Sequence, residues 1–129
     1  MASNIGKKKI LLVDDIETEL DFEELILGNE YDIITAKSGK EAIEYFTHGL
    51  IPNLIILDIL MPDMDGWETF GRLKAISLLN EVPIIFLSSV TEKTEIDRAY
   101  AMGVADFITK PYDTQDLLER VKKVLEIRQ

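Results

Sequence analysis

The chain has 129 residues, no cysteine, and 14 Lys and Arg against 24 Asp and Glu, a net charge of −10, which is the size of one domain. These numbers exclude a disulfide scaffold, a thiol nucleophile and any zinc site built on thiolates, and they set the net field against gripping a nucleic-acid backbone. With 47 % apolar and 29 % charged residues, no apolar run near the roughly 18 residues of a membrane span and no apolar signal core in Met1 to Lys9, the expectation is a folded cytoplasmic protein with no membrane or direct nucleic-acid partner.

In chain order, Ile10 to Val13 is an apolar run stopped by Asp14 and Asp15, the pattern of a strand buried on both faces. Residues 17 to 27 read as a helix, although Leu20, Phe22, Leu25, Ile26 and Leu27 wrap it more broadly than one stripe. Ile33 to Ala36 is a second strand. Ser38 with Glu41 three residues on is a capping box ahead of Ala42, Ile43 and Phe46. Leu54 to Leu57 is a third strand, ended by Asp58, and residues 67 to 79 a third helix with Trp67 packing at its start. Gly66 serves backbone geometry beside the loop that follows Asp58. Ile84 to Leu87 is a fourth strand. Thr91 caps a helix that places Ile96, Ala99 and Tyr100 on one stripe and stops at Gly103. A weaker strand over Ala105 to Ile108 precedes a terminal helix at 114 to 128. Its apolar face is Leu117, Leu118, Val121, Val124 and Leu125, and Lys122, Lys123 and Arg128 complement its dipole.

Strict alternation of five strands with five helices demands a parallel sheet covered on both faces by right-handed crossovers, a doubly wound α/β sandwich; a barrel would need eight repeats. In such sheets ligand chemistry gathers at the carboxyl ends of the strands. Asp14, Asp15 and Asp58 meet there, and two like charges about 4 Å apart repel by roughly 4 kcal/mol at an effective dielectric near 20. The cluster therefore calls for a cation, and an all-oxygen ligand set without His or Cys selects a hard ion such as Mg²⁺. Lys110, followed by Pro111, adds a positive charge on the same edge, and Ser88 a hydroxyl. His48, the sole histidine, reads as a surface or packing residue, and Met61, Met64 and Met102 have no ligand spacing.

The set Asp14, Asp15, Asp58, Ser88 and Lys110 resembles the receiver domain of two-component response regulators. The likeness runs from about Lys8 to Arg128. It rests on Leu11-Leu12-Val13-Asp14-Asp15, the stretch from Leu57 through Asp58 and Met61-Pro62 to Gly66, Val82-Pro83 with Ile84 to Ser88, and Gly103 through Lys110-Pro111. What the resemblance implies is a flavodoxin-like strand order 2-1-3-4-5, one receiver unit over 1–129 with its core at about 8–128, and a signalling module in place of a turnover enzyme. Asp58 would take a phosphoryl group from a histidine kinase or phosphotransfer protein. Asp14, Asp15, Asp58 and the Leu60 carbonyl would hold Mg²⁺, and Ser88 and Lys110 would contact the phosphoryl oxygens. Ser88 would move toward the phosphoryl as Phe107 turns inward, and the face of the fourth helix, fifth strand and fifth helix would dock an output domain or effector, or form a phosphorylation-dependent homodimer. The Lys110-Pro111 peptide would be cis, against a background of about 5 %. Leu60 and Val90 would flank the path of the hydrolytic water and slow it. The unit would stand alone or belong to a longer regulator or hybrid kinase.

Three departures from the family pattern stand out. Ser88 replaces the commoner Thr, Ser89 a usual Ala, and Phe107 lacks the hydroxyl of a tyrosine. Rival functions fit less well. A Mg²⁺-dependent phosphatase of the haloacid dehalogenase type needs a second Asp two residues after the nucleophile, where this chain has Leu60. A flavodoxin-like FMN carrier would set phosphate against Asp14 and Asp15. A third rival, a non-phosphorylated interaction module, would bind no Mg²⁺.

Overall fold

The computed structural model describes residues 6–76 and 79–127, and the elements alternate without exception. They run β1 (Lys9–Val13), α1 (Glu17–Leu27), β2 (Asp32–Ala36), α2 (Gly39–Thr47), β3 (Leu54–Leu57), α3 (Gly66–Lys74), β4 (Ile84–Ser88), α4 (Lys93–Met102), β5 (Asp106–Thr109) and α5 (Thr114–Ile127). The strands form one parallel sheet in the order β2-β1-β3-β4-β5. The doubly wound, flavodoxin-like arrangement expected from the sequence is the one found. Both faces of the sheet are covered, so β3 and β4 are buried at every position.

Side chains alternate across the strands and divide the interior into two cores. One gathers Leu11, Val13, Leu57, Phe86 and Phe107 with Phe46, Phe70 and Leu73. The other gathers Ile10, Leu12, Ile56, Leu87 and Ile108 with Leu20, Leu27, Leu117 and Val121. Phe86 is the aromatic hub of the first, with ring centroids of Trp67, Phe70 and Phe107 at 5.2, 5.8 and 6.1 Å. Arg98 lies over the Trp67 ring at 4.1 Å, within cation-π range.

The local signals hold with specific exceptions. Ser38 accepts from the Glu41 N–H at 3.0 Å, but the Glu41 carboxylate reaches back to the Lys37 N–H at 2.6 Å and not to that of Ser38. The cap of α4 falls on Glu92, one residue after Thr91, with no side-chain bond, while Gly103 ends the helix at φ 104°, where a Cβ is strained. Helix α3 starts at the Asp65 cap, which accepts from Glu68 N–H at 2.9 Å, and it stops at Lys74, well short of 79. The ammonium of Lys74 donates to the carbonyls of Asn80 and Val82 at 3.2 and 2.8 Å. Residues 77–78 and Arg128, both assigned to helices from the sequence, lie outside the described residues. On α1 the broad apolar wrap is only partly buried. Leu20 and Leu27 are in the core, whereas Phe22 and Leu25 are 52 % and 75 % exposed, and a carboxylate, Glu23, is buried in their place.

Candidate functional site

The strand ends deliver polar groups to the same edge: Asp14 and Asp15 after β1, Asp58 after β3, Ser88 at the end of β4 and Lys110 after β5. Val13 pairs with Leu57 and Leu57 with Phe86, so the residues just past β1 and β3 come level with the end of β4. The Asp58 N–H donates to the Val13 carbonyl at 3.0 Å, and the Lys110 N–H to the Ser88 carbonyl at 2.9 Å, which fixes the backbone at Asp58 and Lys110 against the neighbouring strands. Gly66 closes the loop from below, its N–H donating to the Ile59 carbonyl at 2.8 Å. A Cβ there would lie 2.5 Å from both the Asp58 carbonyl oxygen and Ile59 Cα, so only glycine lets α3 start this close to Asp58.

Asp14, Asp15 and Asp58 can each turn a carboxylate oxygen to within 4.8 Å of the others, as the sequence expects. Asp14 Oδ1 accepts from the Ile16 N–H at 3.0 Å, and Asp58 Oδ1 lies 3.4 Å from the Leu60 N–H. Asp15 Oδ1 is buried and has no hydrogen-bond partner. A buried carboxylate oxygen left without a donor is costly, and beside two further carboxylates it is the atom a divalent cation would take. The all-oxygen donor set therefore fits Mg²⁺ and offers nothing to softer metals.

Lys110 is the cation that the site itself supplies. Its ammonium donates to Asp14 Oδ2 at 2.9 Å and to the Glu19 carboxylate, and stands 3.7 Å from Asp58 Oδ2. Burial opposes that charge, but the bonds to Glu19 and Asp14 outweigh it and hold Lys110 above the ordinary lysine range. Burial pushes the Asp58 carboxyl up to about 6; Lys110 pulls it down, Asp14 pushes it up, and hydrogen bonds from Ser88 and Leu60 lower it again.

A cavity of about 670 Å³ opens over Asp58 between α1 and the turn after β5, walled by Phe22, Glu23, Leu60, Ser89 and Tyr112. Leu60 is 57 % exposed in that wall. Val90 is not in it: the side chain packs against the Phe86 core, and Ser89 takes the wall position in its place. The Lys110-Pro111 peptide is cis. Phe107 is 6 % exposed and packed inward against Phe86. His48 is exposed at the end of α2, with Nδ1 2.9 Å from the Glu44 carbonyl.

Sequence reasoning missed Glu19 and Glu23. Four residues apart, they share a face of α1; Glu19 pairs with Lys110, and with Asp14 the two form a second carboxylate group. Glu23 is 3 % exposed and makes no hydrogen bond or ion pair among the described residues. Burial pushes its carboxyl up to about 8, with Lys110 opposing and Asp14 and Glu19 adding. The available signal was a Glu set among apolar residues one turn after Glu19.

The model of the response regulator receiver domain matches residues 10–122. Over 122 residues the chain is 35 % identical to a probable transcriptional regulator, ycf27, of Porphyridium aerugineum, covering 92 % of this chain and 48 % of that protein. The chain spans about half the length of the curated relatives it matches. Among solved structures it is similar to the chemotaxis protein CheY4 of Vibrio cholerae (TM-score 0.85, 27 % identity, 92 % of this chain and 99 % of that one). It is also similar to the signal receiver domain of a signal transduction histidine kinase from Syntrophus aciditrophicus (TM-score 0.83, 33 % identity, 92 % and 90 %). The chain belongs to the response regulator receiver domain family, the signalling modules of two-component systems.

Proposed function

We propose that this receiver takes a phosphoryl group onto Asp58 from a phosphohistidine of a histidine kinase or phosphotransfer protein, with Mg²⁺ held by Asp14, Asp15, Asp58 and the Leu60 carbonyl. The observation that carries this reading is the buried Asp58 carboxylate, set among two further carboxylates and one ammonium at the floor of an open cavity. When bound, the ion neutralises phosphoryl oxygens that a −10 protein would otherwise repel. Asp58 Oδ attacks phosphorus; the O–P bond forms as the P–N bond breaks, and the electron pair returns to the imidazole nitrogen. Lys110, 3.7 Å away, is placed to pair with one phosphoryl oxygen and the Ser88 hydroxyl to donate to another. Leu60 at the second position after Asp58 supplies no acid or base, which supports a signalling module over a turnover phosphatase.

The output would be read on the face of α4, β5 and α5, by a linked domain, an effector or a second phosphorylated copy. That face carries a connected polar network: Arg120 of α5 pairs with Asp106 of β5 at 2.9 Å and Asp116 at 3.0 Å, and the Tyr100 hydroxyl of α4 donates to Asp106 at 2.9 Å. No helix among the described residues is long and apolar enough to cross a membrane. The reading places this receiver unit, residues 1–129, in the cytoplasm, with neither membrane nor nucleic acid as its direct partner. Incubation with acetyl phosphate and Mg²⁺ tests it. Intact mass should rise by one phosphoryl group in the wild type and not in Asp58→Asn; an adduct that persists in the variant removes the assignment.

A further inference from the structure

We propose that Glu19 is a positioning residue that parks the Lys110 ammonium away from Asp58, keeping the carboxylates of the acidic corner open to the divalent cation. The inference rests on the Mg²⁺ reading above and concerns a residue outside that set. Lys110 has three N–H donors and spends them unevenly. Asp14 takes one at 2.9 Å and Glu19 another, while Asp58 Oδ2 at 3.7 Å lies beyond hydrogen-bond length. Of these three partners, Asp14 and Asp58 belong to the proposed ion site. Glu19 alone comes from elsewhere, from the first turn of α1.

Without Glu19, the ammonium's remaining partners are Asp14 and Asp58, and it would settle between them. There it would compete directly with the ion for the same oxygens, since a lysine and a divalent cation seek the same anionic corner. A lysine that must later meet a phosphoryl oxygen has to be near Asp58 without occupying it. Glu19 meets that requirement because its side chain is 37 % exposed and so less desolvated than the 3 % and 7 % exposed carboxylates of Asp14 and Asp58. Its pair with Lys110 is correspondingly easier to break and remake. The buried Glu23, one turn further along α1, lines the same cavity, but among the described residues it makes no hydrogen bond to Lys110, whose ammonium donates to Asp14 and Glu19.

The test is Mg²⁺ affinity, measured by calorimetric titration of the full chain. Glu19→Asp keeps the charge and withdraws it by one methylene, which separates holding Lys110 from merely adding to the negative field. Both Glu19→Asp and Glu19→Gln should bind Mg²⁺ about 10-fold more weakly, the low end for residues that position metal ligands. In a Lys110→Ala background, Glu19→Asp should have no effect, because there is no ammonium left to park. Melting curves confirm that each variant is folded. Wild-type affinity in Glu19→Asp, or a loss that survives in Lys110→Ala, overturns the parking role while phosphorylation of Asp58 still stands. A wild-type protein that neither binds Mg²⁺ nor accepts the phosphoryl group overturns both.

Discussion

The phenyl rings of Phe107 and Phe86 meet edge to face, with centroids 6.1 Å apart and planes at 80°, from neighbouring residues of β5 and β4. This contact buries the side chain that the resemblance casts as mobile. Truncation at this position should behave as a core deletion. Phe107→Ala is expected to cost about 3 to 5 kcal/mol of stability by denaturant titration, because a buried phenyl leaves a cavity on a rigid sheet. A loss under about 1 kcal/mol, the scale of an exposed substitution, would mean that the ring is outside in solution.

Glu23 makes stability depend on pH in an unusual direction. Its carboxyl is raised from an ordinary 4.5 to about 8 in the folded chain, so between those values the folded state keeps a proton that the unfolded state releases. The contribution is fully present below the ordinary carboxylate range and is lost as pH rises toward 8, the loss amounting to at most about 3 kcal/mol at pH 7. Glu23→Gln removes the ionisation and keeps the shape. The variant should match the wild type near pH 4 and exceed it increasingly from about pH 5 to pH 8 in urea midpoints. Parallel pH profiles for the two proteins would show that Glu23 ionises freely in the fold.

Leu60, exposed in the cavity wall over Asp58, presents only carbon to an incoming water. It neither orients nor deprotonates that water, so the phosphoryl group should be long-lived. Leu60→Asn should speed its decay by roughly 10-fold, less than the 10² of a true general base, because an amide only positions. Val90→Glu should do less, since that side chain faces the Phe86 core. Intact mass followed after donor removal reads both rates. Unchanged decay in Leu60→Asn rules out this side chain as the limit.

Much of the site was legible in the sequence because its residues follow runs that can only be strands buried on both faces. Once Ile10 to Val13, Leu54 to Leu57 and Ile84 to Leu87 are parallel neighbours, Asp14, Asp15, Asp58 and Ser88 must share an edge. Glu19 and Glu23 were not legible, since their role depends on how α1 rolls against β1, β2 and α5, and a broad apolar wrap leaves that roll undetermined. The length of α3 was overread because Ile76 and Leu79 continue the helical period after the helix has ended, and both still pack inward. The aim of Val90 and the rotamer of Phe107 are set by packing with residues distant in sequence, which no local pattern records.

The division of the interior into two cores gives the sheet the character of a party wall. Leu73, in the layer of Phe86, and Val121, in the layer under α1 and α5, each touch the wall but share no partner cluster. Damage on one side is then felt on that side alone, and the losses from Leu73→Ala and Val121→Ala should simply sum, to within about 0.5 kcal/mol. Such a molecule can renovate one room at a time: the α1 and α5 layer can drift in sequence to suit a new neighbour without disturbing the aromatic layer on the other side of the sheet.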